Sequence, residues 1–437
     1  MNRLSEQPVI SVGVMSAPQV SFTLGGTYLV VSTSDELKPG RYTVALEGGR
    51  IILAGKQYVE LTLHPSSDTT TFELHDVCIG IGFHWERHET QRFGGSLSFV
   101  ADGDKLWAVN KLPIEEYLFC VIASEMSATS SLELLKAHAV VSRSWLMAQL
   151  VKGARLKGAD YVSVHTTDTE HVRWYDREDH TLFDVCADDH CQRYQGLTRA
   201  DNDVVRQAIE ATRGEVLEYE GEICDARFSK CCGGMTERFE TCWEPVEHGY
   251  LQSFVDYTHR QHEYDLDLTR ESAARAWIKG NPQAFCNTQD SAVLRQVLNS
   301  YDRETADFYR WHVSYSTSEL SELVKRKSGL DFGEVQGMEV VERGPSGRIV
   351  RLRIVGTKRT LVVGKELEIR RLLSESHLYS SAFVVDKREG GFDIYGAGWG
   401  HGVGMCQIGA AMMSERGMGY KTILLHYFRR AMLERRW

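Results

Sequence analysis

No run in this 437-residue chain approaches the ~18 uninterrupted apolar residues of a membrane span, so no transmembrane segment is expected. Met1 to Glu6 leads straight into strand-like sequence without the apolar stretch of a secretory signal, so no export signal is visible. Basic charge is not in excess. A net charge of −10 gives no broad electrostatic footprint for nucleic acid, and no nucleic-acid partner is expected. Only 8 prolines and no low-complexity tract leave little room for disorder. Ten cysteines are present, but they are unevenly spread and several are flanked by histidine, which in a long chain favours metal ligation or reduced thiols over a disulfide framework. What remains is ordinary globular composition, long enough for two or three domains at about 150 residues each.

Up to about residue 100 short β-rich runs alternate with turn signals: Val9–Val12, Tyr28–Val31, Tyr42–Ala45 and Tyr58–Leu61, separated by Gly25-Gly26, Pro39-Gly40 and Gly48-Gly49. This predicts a small β-rich module over 1–100, followed by a mixed domain over 101–437. The fold class is therefore α+β. Pro113 suits a helix start, with Glu115 and Glu116 in the first turn. Ser130 with Glu133 reads as a capping box for a helix from Leu132 to Leu150 that is apolar on nearly every side, so Arg143 within it must find a carboxylate, a carbonyl or a ligand. Asn202–Thr212 reads as helix, Glu220-Gly221 as a hairpin turn, and 260–330 as a helical, motif-poor insertion.

Four constellations could carry chemistry. Glu125, in Ser124-Glu125-Met126 between two helices, is a carboxylate whose pKa desolvation would raise, which suits a general acid; the bland alternative is a helix-end Glu with no task. In Gly398-Trp-Gly400-His401-Gly402-Val-Gly404-Met-Cys-Gln407, the alternating glycines let backbone approach a ligand beside His401, and the helix that follows offers unpaired N–H groups. It lacks the Gly-Lys-Ser/Thr of a phosphate loop, and the alternative is a tight turn with a buried histidine. His180, Cys186, His190 and Cys191 make a full tetrahedral zinc set within one loop, and four protein ligands imply a structural ion. A Cys186–Cys191 disulfide or free thiols are the alternatives, and His165 and His171 compete as ligands. Finally, Phe228-Ser229-Lys-Cys231-Cys232-Gly233-Gly234 ends a strand in small polar residues suited to a hydroxyl-rich ligand. Metal or redox chemistry ranks low there because neither cysteine has a Cys-x-x-Cys partner.

Together Ser124-Glu125-Met126, Leu134–Ser144, Cys232-Gly-Gly-Met-Thr236 and Gly398–Met405 resemble the SpoIID/LytB family in content and order, over about 105 to 430. The resemblance implies a SpoIID-like catalytic domain acting as a peptidoglycan lytic transglycosylase. Glu125 then takes the place of the family's catalytic glutamate, although the proline that follows in the family motif is Ser127 here. Glu125 protonates the bond between N-acetylmuramic acid and N-acetylglucosamine, then removes the C6 hydroxyl proton as a 1,6-anhydro ring closes. Arg143, Ser229, His401, Gly402, Gly404 and Gln407 are the expected glycan-binding residues, with His401 and Gly400–Gly404 lining one cleft with Glu125. Some members hold a zinc on two His and two Cys, which His180, Cys186, His190 and Cys191 resemble. The enhancer branch implies an alternative, a non-catalytic peptidoglycan-binding protein with a cell-wall amidase as partner. The substrate implies the cell envelope or periplasm.

Overall fold

A computed structural model describes residues 6–80, 86–127, 129–156, 162–175, 180–188, 190–200, 203–259, 261–297 and 307–437. Met1 to Ser5 and Asn202, the expected start of a helix, lie outside the described residues, as do 298–306 of the expected insertion. The chain divides into two compact units.

The first unit takes in 1–128, 178–215 and 435–437. Two β-sheets form it. One has the order Val185–Cys186, Val9–Ala17, Lys105–Pro113, Ser96–Asp102, Leu61–Pro65, Tyr28–Val30, Glu36–Leu37; the other runs Arg87–Gly94, Thr71–Ile79, Gln19–Leu24, Gly40–Glu47, Arg50–Leu53, Lys56–Tyr58. Alternation decides the inner faces: Val20, Phe22 and Leu24 are buried on one strand, Leu61 and Leu63 on another. Phe22 packs on Phe99 at 5.3 Å and Tyr28 on Phe72 at 6.3 Å between ring centroids, joining the two sheets. The expected strand Tyr58–Leu61 is instead the end of one strand and the start of another, because Val59 faces solvent in the intervening turn.

Residue 100, the expected boundary, lies inside Ser96–Asp102, which pairs with Lys105–Pro113 along its whole length. That second strand runs directly into helix α1 (Ile114–Glu125) through Pro113, which is the N-cap. Helix α1 is buried on most sides, and its first-turn Glu115 accepts hydrogen bonds from Gly214 N–H and the Trp437 indole, each 3.0 Å.

The second unit comprises 129–177 and 216–434. A five-stranded sheet, Val164–Thr166, Glu170–Arg173, Thr360–Gly364, Ile349–Gly356, Val335–Arg343, and a three-stranded sheet, Arg310–Ser316, Gly391–Ala397, Phe383–Arg388, share a core of Trp311, Leu320, Phe332, Leu352, Phe383 and Ile394. The segment 260–330 is thus not wholly helical: Arg310–Ser316 is a full partner of Gly391–Ala397. Helix α2 (Leu132–Leu156) is buried from Leu134 through Met147 with Lys136 as the one interruption, as its sequence requires. Its cap differs from the expectation. Ser131, not Ser130, accepts from the backbone of Leu134, while Ser130 is buried and donates to the carbonyl of Gln296, and the Glu133 carboxylate takes Lys136 and the Tyr420 N–H.

Candidate functional site

In the first unit the loop after residue 180 is tied to the strand Val9–Ala17. Ser11 holds the Asp184 carboxylate with both its N–H (2.9 Å) and its hydroxyl (2.6 Å), and Val185–Cys186 then adds to that strand in parallel register, Gly13 opposite Cys186. Gly13 must be glycine because a Cβ would stand 2.4 Å from the Phe183 ring. The next turn, closed by Cys191 N–H to Asp188 O, folds Cys191 back toward Cys186. The donor atoms of His180, Cys186, His190 and Cys191 consequently lie within 4.8 Å of one another. His180 Nε2 is 3.2 Å from Cys191 Sγ, and His190 Nδ1 is 3.6 Å from it. A tetrahedral zinc site spaces a sulfur and a nitrogen ligand by roughly 3.5 Å, so the donors fit a metal ion of that kind. The Cys186 thiol is drawn well down, by Cys191 first and then by His180 and His190, against the opposing effect of burial. No disulfide joins Cys186 to Cys191, so the disulfide alternative does not hold. His165 and His171 do not join the set; they sit on paired strands of the second unit, with His171 bonded to Thr166.

The same loop positions Glu125. Its carboxylate, half-buried at the end of α1, accepts the Arg193 N–H at 3.0 Å, and Ser124 accepts the Gln195 N–H at 3.2 Å. Arg193 follows Cys191 by two residues, so the candidate metal ligands and the candidate acid share one stretch of backbone. Beside them lies a cavity of ≈ 210 Å³ lined by Cys78, Trp107, His180, Cys186, His190 and Arg193 among others; Glu125 does not line it.

Arg143, Ser229, His401, Gly402, Gly404 and Gln407 all belong to the second unit. Phe228–Ser229 pairs in parallel with Met405–Cys406, which sets Ser229 opposite Cys406 and Gln407 at the start of the helix Gln407–Glu415. Gln407 Nε2 meets His138 Nε2 at 3.0 Å, and the other ring nitrogen of His138 meets Ser142 Oγ at 3.2 Å. Burial pushes His138 down to about 3, helped by the charge of Lys230, so the ring is neutral. A consistent tautomer has Nδ1–H donating to Ser142 and Nε2 accepting from the Gln407 amide. Arg143 is fully buried, Gln407 and Ser229 nearly so, and the Ser229 hydroxyl finds no hydrogen-bond partner among the described residues. The strand end at Cys231 to Gly234 is likewise buried, which removes the exposed hydroxyl-binding surface expected there.

His401 is half-buried. Its Nδ1 accepts the Val403 N–H at 3.0 Å, its ring stands edge-on to Trp243, and burial together with Arg227 and Arg348 holds it well below the usual histidine range. The glycines around it answer to the protein itself. A Cβ at Gly402 (φ +73°) would come 2.4 Å from the Arg348 guanidinium, and one at Gly404 (φ +72°) 2.1 Å from the carbonyl of Arg227. Arg348, fully buried, donates to the carbonyls of Gly400 and Cys232 and to Ser346, whose hydroxyl donates to buried Glu237. Glu237 is pushed up by burial, against the lowering effect of Ser346, Arg238 and Arg348. The close approach that demands glycine at 402 and 404 is therefore made by Arg348 and by the strand before Ser229, not reserved for a sugar.

A family model for Stage II sporulation protein matches residues 102–219, and one for a domain of unknown function (DUF8618) matches 237–404. The chain resembles the SpoIID/LytB family. It is 24% identical to Stage II sporulation protein D of Bacillus amyloliquefaciens, covering 74% of each chain. It is 27% identical to the amidase enhancer of Bacillus subtilis over 70% of this chain but only 39% of that one, and 26% identical to an uncharacterized protein of Brachyspira hyodysenteriae over 76% and 70%.

In this chain, reading the sequence passed over His138, Arg348 and Glu237. His138 had a signal: a histidine four residues before a serine on a helix apolar all round needs internal partners. Arg348 and Glu237 had none, because Gly400, whose carbonyl accepts from Arg348, and Ser346, whose hydroxyl donates to Glu237, lie more than fifty residues away from them.

Proposed function

We propose that the protein is a peptidoglycan lytic transglycosylase of the cell envelope in which Glu125 is the single acid and base. Kinship with Stage II sporulation protein D and with an amidase enhancer supports a cell-wall role. The observation that carries the finer reading is the setting of Glu125, half-buried with one carboxylate oxygen held by the Arg193 N–H. Protonated, it donates to the glycosidic oxygen as the C1–O bond to the leaving sugar breaks. As carboxylate it takes the proton of the C6 hydroxyl while that oxygen bonds to C1, and it returns to its starting state with no water consumed. His180, Cys186, His190 and Cys191 would hold a zinc that supplies order and no reacting water, since four protein ligands close its shell. Gln407, being buried, acts on the glycan only through His138, which it holds, and buried Arg143 and Ser229 have no surface to offer it, whereas His401 is half-buried.

The enhancer kinship favours one second reading, a non-catalytic glycan-binding protein that stimulates an amidase. Reducing-end analysis of digested peptidoglycan separates the two. Anhydro ends from the parent chain, reduced ~10²–10⁴-fold in Glu125→Gln, support the enzyme; no products from the parent, with stimulation of an added amidase, support the enhancer.

A further inference from the structure

Cys232, Asp256, Cys286 and Cys406 come from four separate segments of the second unit, yet their donor atoms lie within 4.8 Å of one another and all four side chains are buried. We propose that these residues form a second metal site, which takes one zinc-class divalent cation in a closed tetrahedral shell.

Distances are the first support. Cys232 Sγ is 3.3 Å from Asp256 Oδ2 and 3.5 Å from Cys286 Sγ. Tetrahedral zinc, with Zn–S ~2.3 Å and Zn–O ~2.0 Å, spaces such corners by roughly 3.5–3.8 Å. A disulfide needs sulfurs ~2.05 Å apart. Three thiols with one carboxylate are a soft, anionic donor set of the kind that selects zinc over hard cations.

The surroundings are the second. The Asp256 carboxylate is oriented from outside the cluster: His426 Nε2 is 2.9 Å from Oδ1 and the Tyr427 hydroxyl donates to Oδ2 at 3.1 Å, the kind of outer partners that fix metal-ligating carboxylates. Cys406 caps the helix Gln407–Glu415, and its sulfur accepts the N–H groups of Gly409 (3.4 Å) and Cys232 (3.2 Å). Backbone donors aimed at a ligand sulfur are outer partners of the same kind, fixing where its lone pairs point.

Gly409 is the third. Glycine inside a helix is unfavourable against alanine, and here a Cβ would stand 2.3 Å from the Tyr427 hydroxyl and 2.6 Å from Asp256 Oδ2. The helix gives up a side chain where the carboxylate and its outer partner converge on Cys406. Cys231, also buried and hydrogen-bonded to Cys286 and Cys406, is a neighbouring thiol outside the set.

Native mass spectrometry with elemental analysis of the full chain, purified without chelator, tests the site without any mutation. Two zinc ions per chain are expected. One of them should persist in Cys186→Ser, which empties the loop set, and disappear in Asp256→Asn and in Cys286→Ser, while Cys231→Ser keeps both. Cobalt(II) added to metal-free Cys186→Ser should give the intense visible bands of a tetrahedral thiolate site. A single ion that vanishes in Cys186→Ser overturns the second site and leaves the loop set standing; a single ion that survives there supports the second site and removes the loop set. No ion, a mass lower by the two hydrogens of a disulfide between these cysteines, or an ion lost in Cys231→Ser but kept in Asp256→Asn overturns the proposal.

Discussion

The two donor sets of this protein are built in opposite ways. In the first unit, His180, Cys186, His190 and Cys191 come from a single short loop, partly exposed, pinned at one end by Ser11 and Asp184. In the second, Cys232 and Cys406 are 174 residues apart and no member of the set sees solvent. A local set depends on whatever binds it to order the loop, because polar chain with little apolar content cannot fix itself by burial. A dispersed set is placed by the core before any ion arrives. The teaching is that spacing finds the first kind and cannot find the second: absence of a Cys-x-x-Cys partner ranks Cys232 low for metal, yet the fold supplies three partners from distant segments.

The sharpest way to break this comparison is to remove one ligand from each set and read stability and turnover separately. Cys286→Ser leaves a buried carboxylate and two thiols without their fourth member and should lower unfolding free energy by about 3–5 kcal/mol, the range for breaking a buried ionic group, with midpoint shifts read by urea denaturation. Cys191→Ser should cost less stability but reduce anhydro-product release by roughly 10–100-fold, because the backbone that holds Glu125 begins two residues further on. Equal stability losses in the two variants, with turnover untouched in Cys191→Ser, would erase the distinction.

Acid should also act on the two units unequally. His138, His248, His377 and His401 all lie in the second unit, and burial lowers each of them, His138 to about 3 and His377 to about 4. A base whose folded pKa is depressed is neutral in the fold while the unfolded chain gains a proton from about pH 6.5 downward. Its contribution to stability is therefore complete above that pH and is lost progressively as pH falls toward the folded value. From pH 6.5 to 5 His138 alone should cost about 2 kcal/mol. The raised carboxyl of Glu237 works in the opposite sense, favouring the fold as pH falls, so the total slope is smaller than the histidines alone would give. Comparing His138→Gln with the parent isolates one ring: the variant's stability should fall less steeply over that window, by up to about 1.4 kcal/mol per pH unit. Parallel pH profiles would mean that His138 is already charged in the fold.

A smaller effect concerns the glycine-rich turn, the region where sequence and structure agree on the residues and differ on the reason. Alternating glycines around His401 were legible, and so was a strand-to-helix turn; what the glycines approach was not, because Arg348 and Arg227 are far away in sequence. Gly402→Val places a Cβ against a buried guanidinium at φ +73° and should lower stability by about 1–3 kcal/mol in a thermal melt before any glycan is added. A full-stability Gly402→Val with impaired glycan binding would restore the sugar as the reason for glycine.

The smallest effect tests how finely local rules can be read. The helix from Leu132 is announced by Ser130 and Glu133, whose capping-box spacing selects Ser130. The fold shifts the cap by one residue because Ser130 is drawn into a long-range bond with the carbonyl of Gln296 at 2.6 Å, and Glu133 is occupied by Lys136 and the N–H of Tyr420. Ser131 then takes the Leu134 N–H at 3.4 Å and shares a 2.7 Å hydroxyl contact with Ser414. Ser131→Ala should therefore cost ~1 kcal/mol as a lost N-cap. Ser130→Ala removes the donor from a carbonyl that a buried site cannot offer to water, and should cost ~1–3 kcal/mol by a different route, loosening Ser291–Val297 as well as the start of α2. Amide exchange distinguishes the two: faster exchange confined to the first turn of α2 for Ser131→Ala, and spread to both helices for Ser130→Ala. Exchange confined to the first turn of α2 in both variants would return the cap to Ser130 and make the local spacing the better guide.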